Sequence, residues 1–220
     1  MKNNFTFIKE DRLLNKELIK SLLEKFDYVY RENEYKYIRG YIYELVINDI
    51  LKEPLFLSLL NQLKKKFELI TGFNDLSFEK LWLMSSKSSD PNTADLPYIP
   101  HIDKRRYLKA MVYLHDVSVE HGPTHLGRVK STIDIEQKRK EIPENYKEKG
   151  SNTIDDESLE ENLTPMTGKA GDVVFFDTNT PHKAGIINEG YYRKVLRFDF
   201  ERPFFNPKQT IFNYIINKFK

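Results

Sequence analysis

From Leu81 onward the chain is written in short runs: Leu81-Trp-Leu-Met-Ser-Ser86, Leu96-Pro-Tyr-Ile-Pro-His-Ile-Asp103, Tyr107-Leu-Lys-Ala-Met-Val-Tyr-Leu-His-Asp-Val117, Asp172-Val-Val-Phe-Phe-Asp177, His182-Lys-Ala-Gly-Ile-Ile187 and Tyr191-Tyr-Arg-Lys-Val-Leu-Arg-Phe-Asp-Phe-Glu201. β-Branched and aromatic residues fill the runs, and glycine, proline and aspartate separate them, which reads as a succession of strands and turns. The residues before Leu81 have a different texture. Leu13, Leu14, Leu18, Ile19, Leu22, Leu23 and Phe26 recur at helical spacing with charges between them, which predicts an amphipathic helix. A second helical stretch is read from about Tyr41 to Leu51, and a third from about Leu55 to Ile70, stopped by Thr71-Gly72.

Helices first and strands afterwards predict an α+β protein, a β-sandwich or barrel braced by helices on one face. Residues 1–75 form the helical brace in this reading and 80–201 the β core, within a single domain spanning 1–220. Residues 131–164 are charged and poor in apolar anchors, and read as a long mobile loop. The last segment, 203–220, reads as a helix with Ile211, Ile215 and Phe219 on one face, which most simply packs on the sheet.

Composition removes several classes of function. Lys+Arg 35 against Asp+Glu 33 gives a net charge of +2 with the basic residues scattered, so no footprint for nucleic acid stands out. There is no cysteine, which excludes disulfides and thiolate metal sites and leaves His, Asp and Glu as ligands. The first residues, MKNNFTFIKEDR, lack the apolar stretch of a signal peptide, and nowhere do eighteen apolar residues run together. A cytoplasmic protein with no membrane span is the expectation.

Chemistry concentrates in His101-Ile102-Asp103. On a strand, residues 101 and 103 project to the same face while Ile102 points to the other, so an imidazole and a carboxylate can share one metal. If His182 joins them, the set is two histidines and one carboxylate, which leaves open coordination positions and is diagnostic of non-heme Fe(II) oxygenases. Arg193, eleven residues after His182, lies in an apolar strand and reads as an anion clamp. The bland alternative is that the histidines are merely hydrogen-bonded, as most are. Zinc with the same ligands is a third reading, but it gives a buried arginine no role. His115, His121 and His125 cluster around a turn and read as structural, with Asp116 serving that turn and Asp172 the turn before its strand. Lys104-Arg105-Arg106 reads first as a solvated basic turn and second as a rim receiving an anionic substrate.

The order of these elements adds a resemblance. The His-x-Asp pair, the strand Tyr107–Leu114, the Gly122-Pro123 turn, Gly171-Asp172 leading into Val173-Val-Phe-Phe176, Thr180-Pro-His-Lys-Ala-Gly185 and the strand from Arg193 to Phe200 together resemble the phytanoyl-CoA dioxygenase-like family of Fe(II)/2-oxoglutarate oxygenases, over about Leu81 to Phe200. The resemblance implies a double-stranded β-helix, or jelly roll. It implies that His101, Asp103 and His182 hold iron and that Arg193 pairs with the distal carboxylate of 2-oxoglutarate. It further implies hydroxylation of a small molecule with O₂, releasing succinate and CO₂. Arg197, four residues on, has the same facing and is the alternative clamp.

The chain departs from the family pattern twice. Many members carry Ser or Thr two residues after the distal histidine, where this chain has Ala184, so one donor to the co-substrate is missing. On the strand after the motif, Lys109, Met111 and Tyr113 share one face, which makes Tyr113 a candidate donor to the co-substrate and Met111 a pocket wall. The serine-histidine element that often follows the glycine-proline turn appears as Gly127-Arg-Val-Lys-Ser131, without the histidine. The rival functions are a non-catalytic β-helix binding domain, kept alive by Ala184, and a zinc hydrolase on the same scaffold.

Overall fold

The computed structural model describes residues 5–33, 37–39, 42–47, 49–92, 97–128, 153–155 and 163–201, together with 137 and 140. The described strands are β1 (Phe7–Glu10), β2 (Tyr37–Arg39), β3 (Ile42–Ile47), β4 (Ser77–Lys87), β5 (His101–Asp103), β6 (Tyr107–Tyr113), β7 (His125–Leu126), β8 (Thr153–Asp155), β9 (Thr164–Pro165), β10 (Val173–Asp177), β11 (His182–Lys183) and β12 (Tyr192–Glu201). They form a seven-stranded sheet in the order β1-β10-β6-β12-β4-β3-β2 and a five-stranded sheet in the order β8-β5-β11-β7-β9. Every pairing between these strands is antiparallel, giving the jelly roll expected from the sequence.

Two helices brace the outside of the larger sheet. Helix α1 (Lys16–Glu32) begins where the Asn15 side chain accepts the Leu18 amide at 2.8 Å, a cap worth about 1 kcal/mol. Helix α2 (Pro54–Thr71) opens with proline and ends at Gly72, whose φ of 72° lets its amide close on Glu68. Leu22 and Phe26 from α1 and Phe56, Leu59, Leu63 and Phe67 from α2 bury against Leu83, Leu108, Ala110, Val112, Phe175, Leu196 and Phe198 of the sheet. The alternation of the strands sends their other residues to the opposite face. There Met84, Met111, Tyr113, Val174, Phe176 and Val195 form a second cluster with Leu126, Met166 and Ala184. The site lies on this second face, away from the helices.

Two expectations for the first 75 residues and one for the span 131–164 need correction. The stretch from Tyr41 to Leu51 is not a helix: Ile42–Ile47 is a strand paired with β4, followed by a 3₁₀ turn over Ile50–Lys52. Ile42, Leu45 and Val46 fit a helical stripe, but the run is short and rich in β-branched and aromatic residues, and pairing with the long β4 decides it. Phe7–Glu10 and Tyr37–Arg39 are also strands, at the two edges of the larger sheet, so the segment is more than a helical brace. In the span read as a loop, Thr153–Asp155 pair with β5 in the register His101↔Asp155 and Asp103↔Thr153. Most of 131–164, and the helix expected over 203–220, lie outside the described residues. No helix among the described residues is long and apolar enough to cross a membrane.

Candidate metal and anion site

Two short strands of the smaller sheet position the metal ligands. His182 on β11 stands directly opposite His101 on β5, which brings the imidazole centroids to 4.4 Å. Asp103 lies two residues along the same strand and so on the same face, while Ile102 is buried behind them. One ligand atom from each of His101, Asp103 and His182 lies within 4.8 Å of the others, and all three side chains are buried. The Nδ1 atoms of His101 and His182 lie 2.8 Å from the carbonyls of Ile99 and Thr180. A carbonyl only accepts, so Nδ1 carries the proton in each ring and Nε2 presents its lone pair to the site.

Charge in the site is set for a cation. Burial, reinforced by the neighbouring His101 ring, pushes the His182 imidazole down to about 3, so it is neutral at pH 7 and free to ligate. Burial opposes ionisation of Asp103, but Lys109 and the two imidazoles outweigh it and hold the carboxyl well below its usual range. Lys109 reaches across from β6 and donates to Asp103 Oδ2 at 2.6 Å. The other oxygen, Oδ1, lies 3.8 Å from His182 Nε2. Lys109 therefore occupies one carboxylate oxygen and leaves the other facing the histidines. Two neutral imidazoles and one ionised carboxylate fit a ferrous ion with coordination positions to spare.

The ligands open onto a cavity of about 630 Å³, counting the space at its mouth, whose walls include Met84, Met111, Thr124, Ala184 and Arg193. Arg193 is 2% exposed. It donates to the Gly122 carbonyl, its Nε has no hydrogen-bond partner, and no carboxylate pairs with it among the described residues. Burial lowers its pKa, because the guanidinium loses water around its charge. Arg197 is the opposite case. It donates to Asp199 at 3.0 and 3.2 Å, lies 3.7 Å from Glu44 and sits 4.6 Å from the Trp82 ring centroid. Of the two arginines, only Arg193 has a guanidinium available to an incoming anion.

Gly122 is needed where it stands. Its φ of 59° is left-handed, and a Cβ there would lie 2.5 Å from the Gly185 carbonyl oxygen. The turn that holds Arg193 is thus packed directly against the chain that follows His182.

Met111 lies on the cavity wall, where its sulfur accepts from Thr124 Oγ1 at 3.5 Å. Tyr113 does not line the cavity: it is fully buried, its hydroxyl donates to the Met166 carbonyl, and desolvation raises its pKa. Ala184 is on the wall and brings no hydroxyl. Arg105 pairs with Glu201 at 2.6 Å and Glu79 at 3.1 Å, and Arg106 with Asp177 at 2.9 Å, so two of the three charges expected to form an anion-receiving rim are neutralised within the fold. His115 accepts the Lys194 amide at 3.0 Å, and the Nδ1 atoms of His121 and His125 lie 2.8 Å from Ser118 Oγ and 3.0 Å from the Pro123 carbonyl. Asp172 does more than serve its turn: besides the Lys169 amide it accepts the Arg12 amide and Lys9 Nζ, clipping the first residues to the core. Sequence reasoning missed the Lys109 contact with Asp103 and the buried Glu44 on the cavity wall.

The family model described as phytanoyl-CoA dioxygenase (PhyH) matches residues 50–194, about two thirds of the chain. Among solved structures, the epimerase SnoN in complex with Fe3+, alpha ketoglutarate and nogalamycin RO superposes with a TM-score of 0.67 at 16% identity, covering 90% of this chain and 79% of that one. HygX from Streptomyces hygroscopicus, with nickel and 2-oxoglutarate bound, gives 0.64 at 15% identity, covering 93% and 85%. A Pseudomonas putida prolyl-4-hydroxylase gives 0.56 at 16% identity, covering 91% and 94%. At these identities the likeness is one of fold. No curated protein sequence matches the chain.

Proposed function

The chain belongs to the phytanoyl-CoA dioxygenase family, and from that premise we propose that it is an Fe(II)- and 2-oxoglutarate-dependent dioxygenase that hydroxylates an unactivated C–H bond of a small molecule, with release of succinate and CO₂. The observation that carries the proposal is the pairing of a buried His101-Asp103-His182 triad with a buried Arg193, which has no carboxylate partner among the described residues, on the wall of one cavity. A zinc hydrolase would account for the triad and leave the arginine without purpose. A dicarboxylate co-substrate accounts for both.

His101 and His182 would hold the metal through Nε2, in a tautomer set by Ile99 and Thr180, and Asp103 would hold it through the oxygen that Lys109 leaves unoccupied. When bound, iron supplies the activation of O₂ that no side chain of the cavity provides. Arg193, steadied by the Gly122 carbonyl, receives the distal carboxylate of 2-oxoglutarate as a charge-assisted fork. Met111 and Ala184 line the cavity without offering a strong polar group, so the guanidinium carries most of the recognition. The relatives of this fold named as epimerase and carbocyclase, SnoN and SnoK, show that product identity must be measured.

The test is aerobic incubation with Fe(II) and 2-oxoglutarate, following succinate by NMR and screening a metabolite mixture for a mass gain of one oxygen. Succinate should require O₂ and Fe(II) and vanish in His101→Ala, Asp103→Ala and His182→Ala. Succinate that survives all three substitutions, or none from the intact protein with any candidate substrate, would sink the assignment.

A further inference from the structure

Among the described residues, Glu44 is the one carboxylate on the cavity wall that the oxygenase reading leaves unused. It lies on β3, opposite Met84, with 2% of its surface exposed. Its Oε2 has no hydrogen-bond partner among the described residues. Its Oε1 lies 3.7 Å from Arg197, too far for a hydrogen bond, and Arg197 already gives two bonds to Asp199. Asp103 is matched by Lys109, Arg197 by Asp199, and Arg193 by the co-substrate carboxylate. Lys183, also on the wall, is only half-buried, so water screens it. A carboxylate on a cavity wall, with one oxygen buried and lacking a donor, is costly unless something entering the cavity donates to it.

We propose that the substrate carries a protonated amine, received by the Glu44 carboxylate on the cavity wall. Calling that amine a substrate rests on the oxygenase reading above. An ammonium group supplies both the positive charge and the N–H donors that this carboxylate lacks, while Arg193 takes the co-substrate's anionic end. An anionic substrate would meet Glu44 with the wrong sign.

The test uses protein loaded with Ni(II) and 2-oxoglutarate and three probes of equal length: n-pentylamine, 1-pentanol and pentanoate, their affinities read by saturation-transfer NMR. The ammonium probe should bind at least tenfold more tightly than the other two, and Glu44→Gln should reduce that preference to about twofold. Glu44→Gln should also melt no lower than the wild type, since it removes a buried charge. Preference for pentanol or pentanoate, an unchanged preference in Glu44→Gln, or a lowered melting temperature would each overturn the proposal, the last because it would make Arg197 the true partner of Glu44. A parallel titration with 2-oxoglutarate keeps the two readings apart. If 2-oxoglutarate fails to bind while the Glu44-dependent amine preference persists, the oxygenase assignment falls and the cation site stands.

Discussion

Replacing Arg193 and Arg197 in turn by Met separates a ligand-binding arginine from a structural one. Without ligand, Arg193 is a buried cation whose only described partner is the Gly122 carbonyl. Arg193→Met should therefore be at least as stable as the wild type. Arg197→Met leaves Asp199 buried without its cation, and breaking a buried pair costs about 3–5 kcal/mol. With Ni(II) present, 2-oxoglutarate at about a hundred times its Kd should stabilise the wild type by about 2.7 kcal/mol. For a domain of this size that is roughly 5–10 °C in melting temperature. Losing the clamp should weaken binding about a hundredfold, or roughly 2.8 kcal/mol at 1.4 kcal/mol per tenfold. The same ligand concentration would then sit near the new Kd and stabilise Arg193→Met by only about 0.4 kcal/mol, roughly 1 °C. Arg197→Met, though less stable, should keep the full shift. Melting curves with and without 2-oxoglutarate decide it. A full shift in Arg193→Met, or a loss of ligand-free stability as large as that of Arg197→Met, would refute the reasoning.

Two further predictions concern the metal ligands. Lys109→Met removes the cation facing Asp103 Oδ2, so the metal-free variant should lose a few kcal/mol of stability; Fe(II) or Ni(II) should restore more in the variant than in the wild type, because the metal becomes the only counter-charge, and equal metal-induced shifts in calorimetry would argue against this role. His182 has its folded pKa depressed to about 3, below an unfolded value near 6.5, so unfolding takes up a proton between these values. Metal-free protein should hold this contribution above about pH 6.5 and lose it as pH falls toward 3, and His182→Gln should flatten that part of a stability–pH curve measured by urea unfolding.

What could be read from the residues depended on the range of the interaction. His101 and Asp103 were legible because the two-residue period of a strand fixes their common face, whatever the sheet does around them. Their meeting with His182 needed a cross-strand register that only the folded chain supplies. Arg193 and Arg197 share a face, so alternation could not choose between them. The choice comes from their neighbours: Asp199 and Glu44 lie around one, and among the described residues only the Gly122 carbonyl meets the other. Tyr113 was placed on the inner face correctly, but its hydroxyl is taken by Met166, a partner 53 residues away. Glu44 was hidden by its own strand. Ile42, Leu45 and Val46 imitate a helical stripe, and a buried carboxylate on the cavity face interrupts the apolar alternation that would have announced a strand.

The order of the larger sheet also bears on how the protein reaches its native state. Its middle strand, β12, is the last of the described strands along the chain, and it lies between β6 and β4. Until residue 201 is available, β6 and β4 each present an unpaired edge, and β1 must wait for β10, about 165 residues away. Such distant pairings make for slow, cooperative closure, so nascent or truncated chains ending before β12 should be trapped with sticky edges exposed and depend on chaperones to avoid aggregation. The strand that completes the sheet also carries Arg193, so the chain gains the arginine proposed as its anion clamp only in the step that seals its fold.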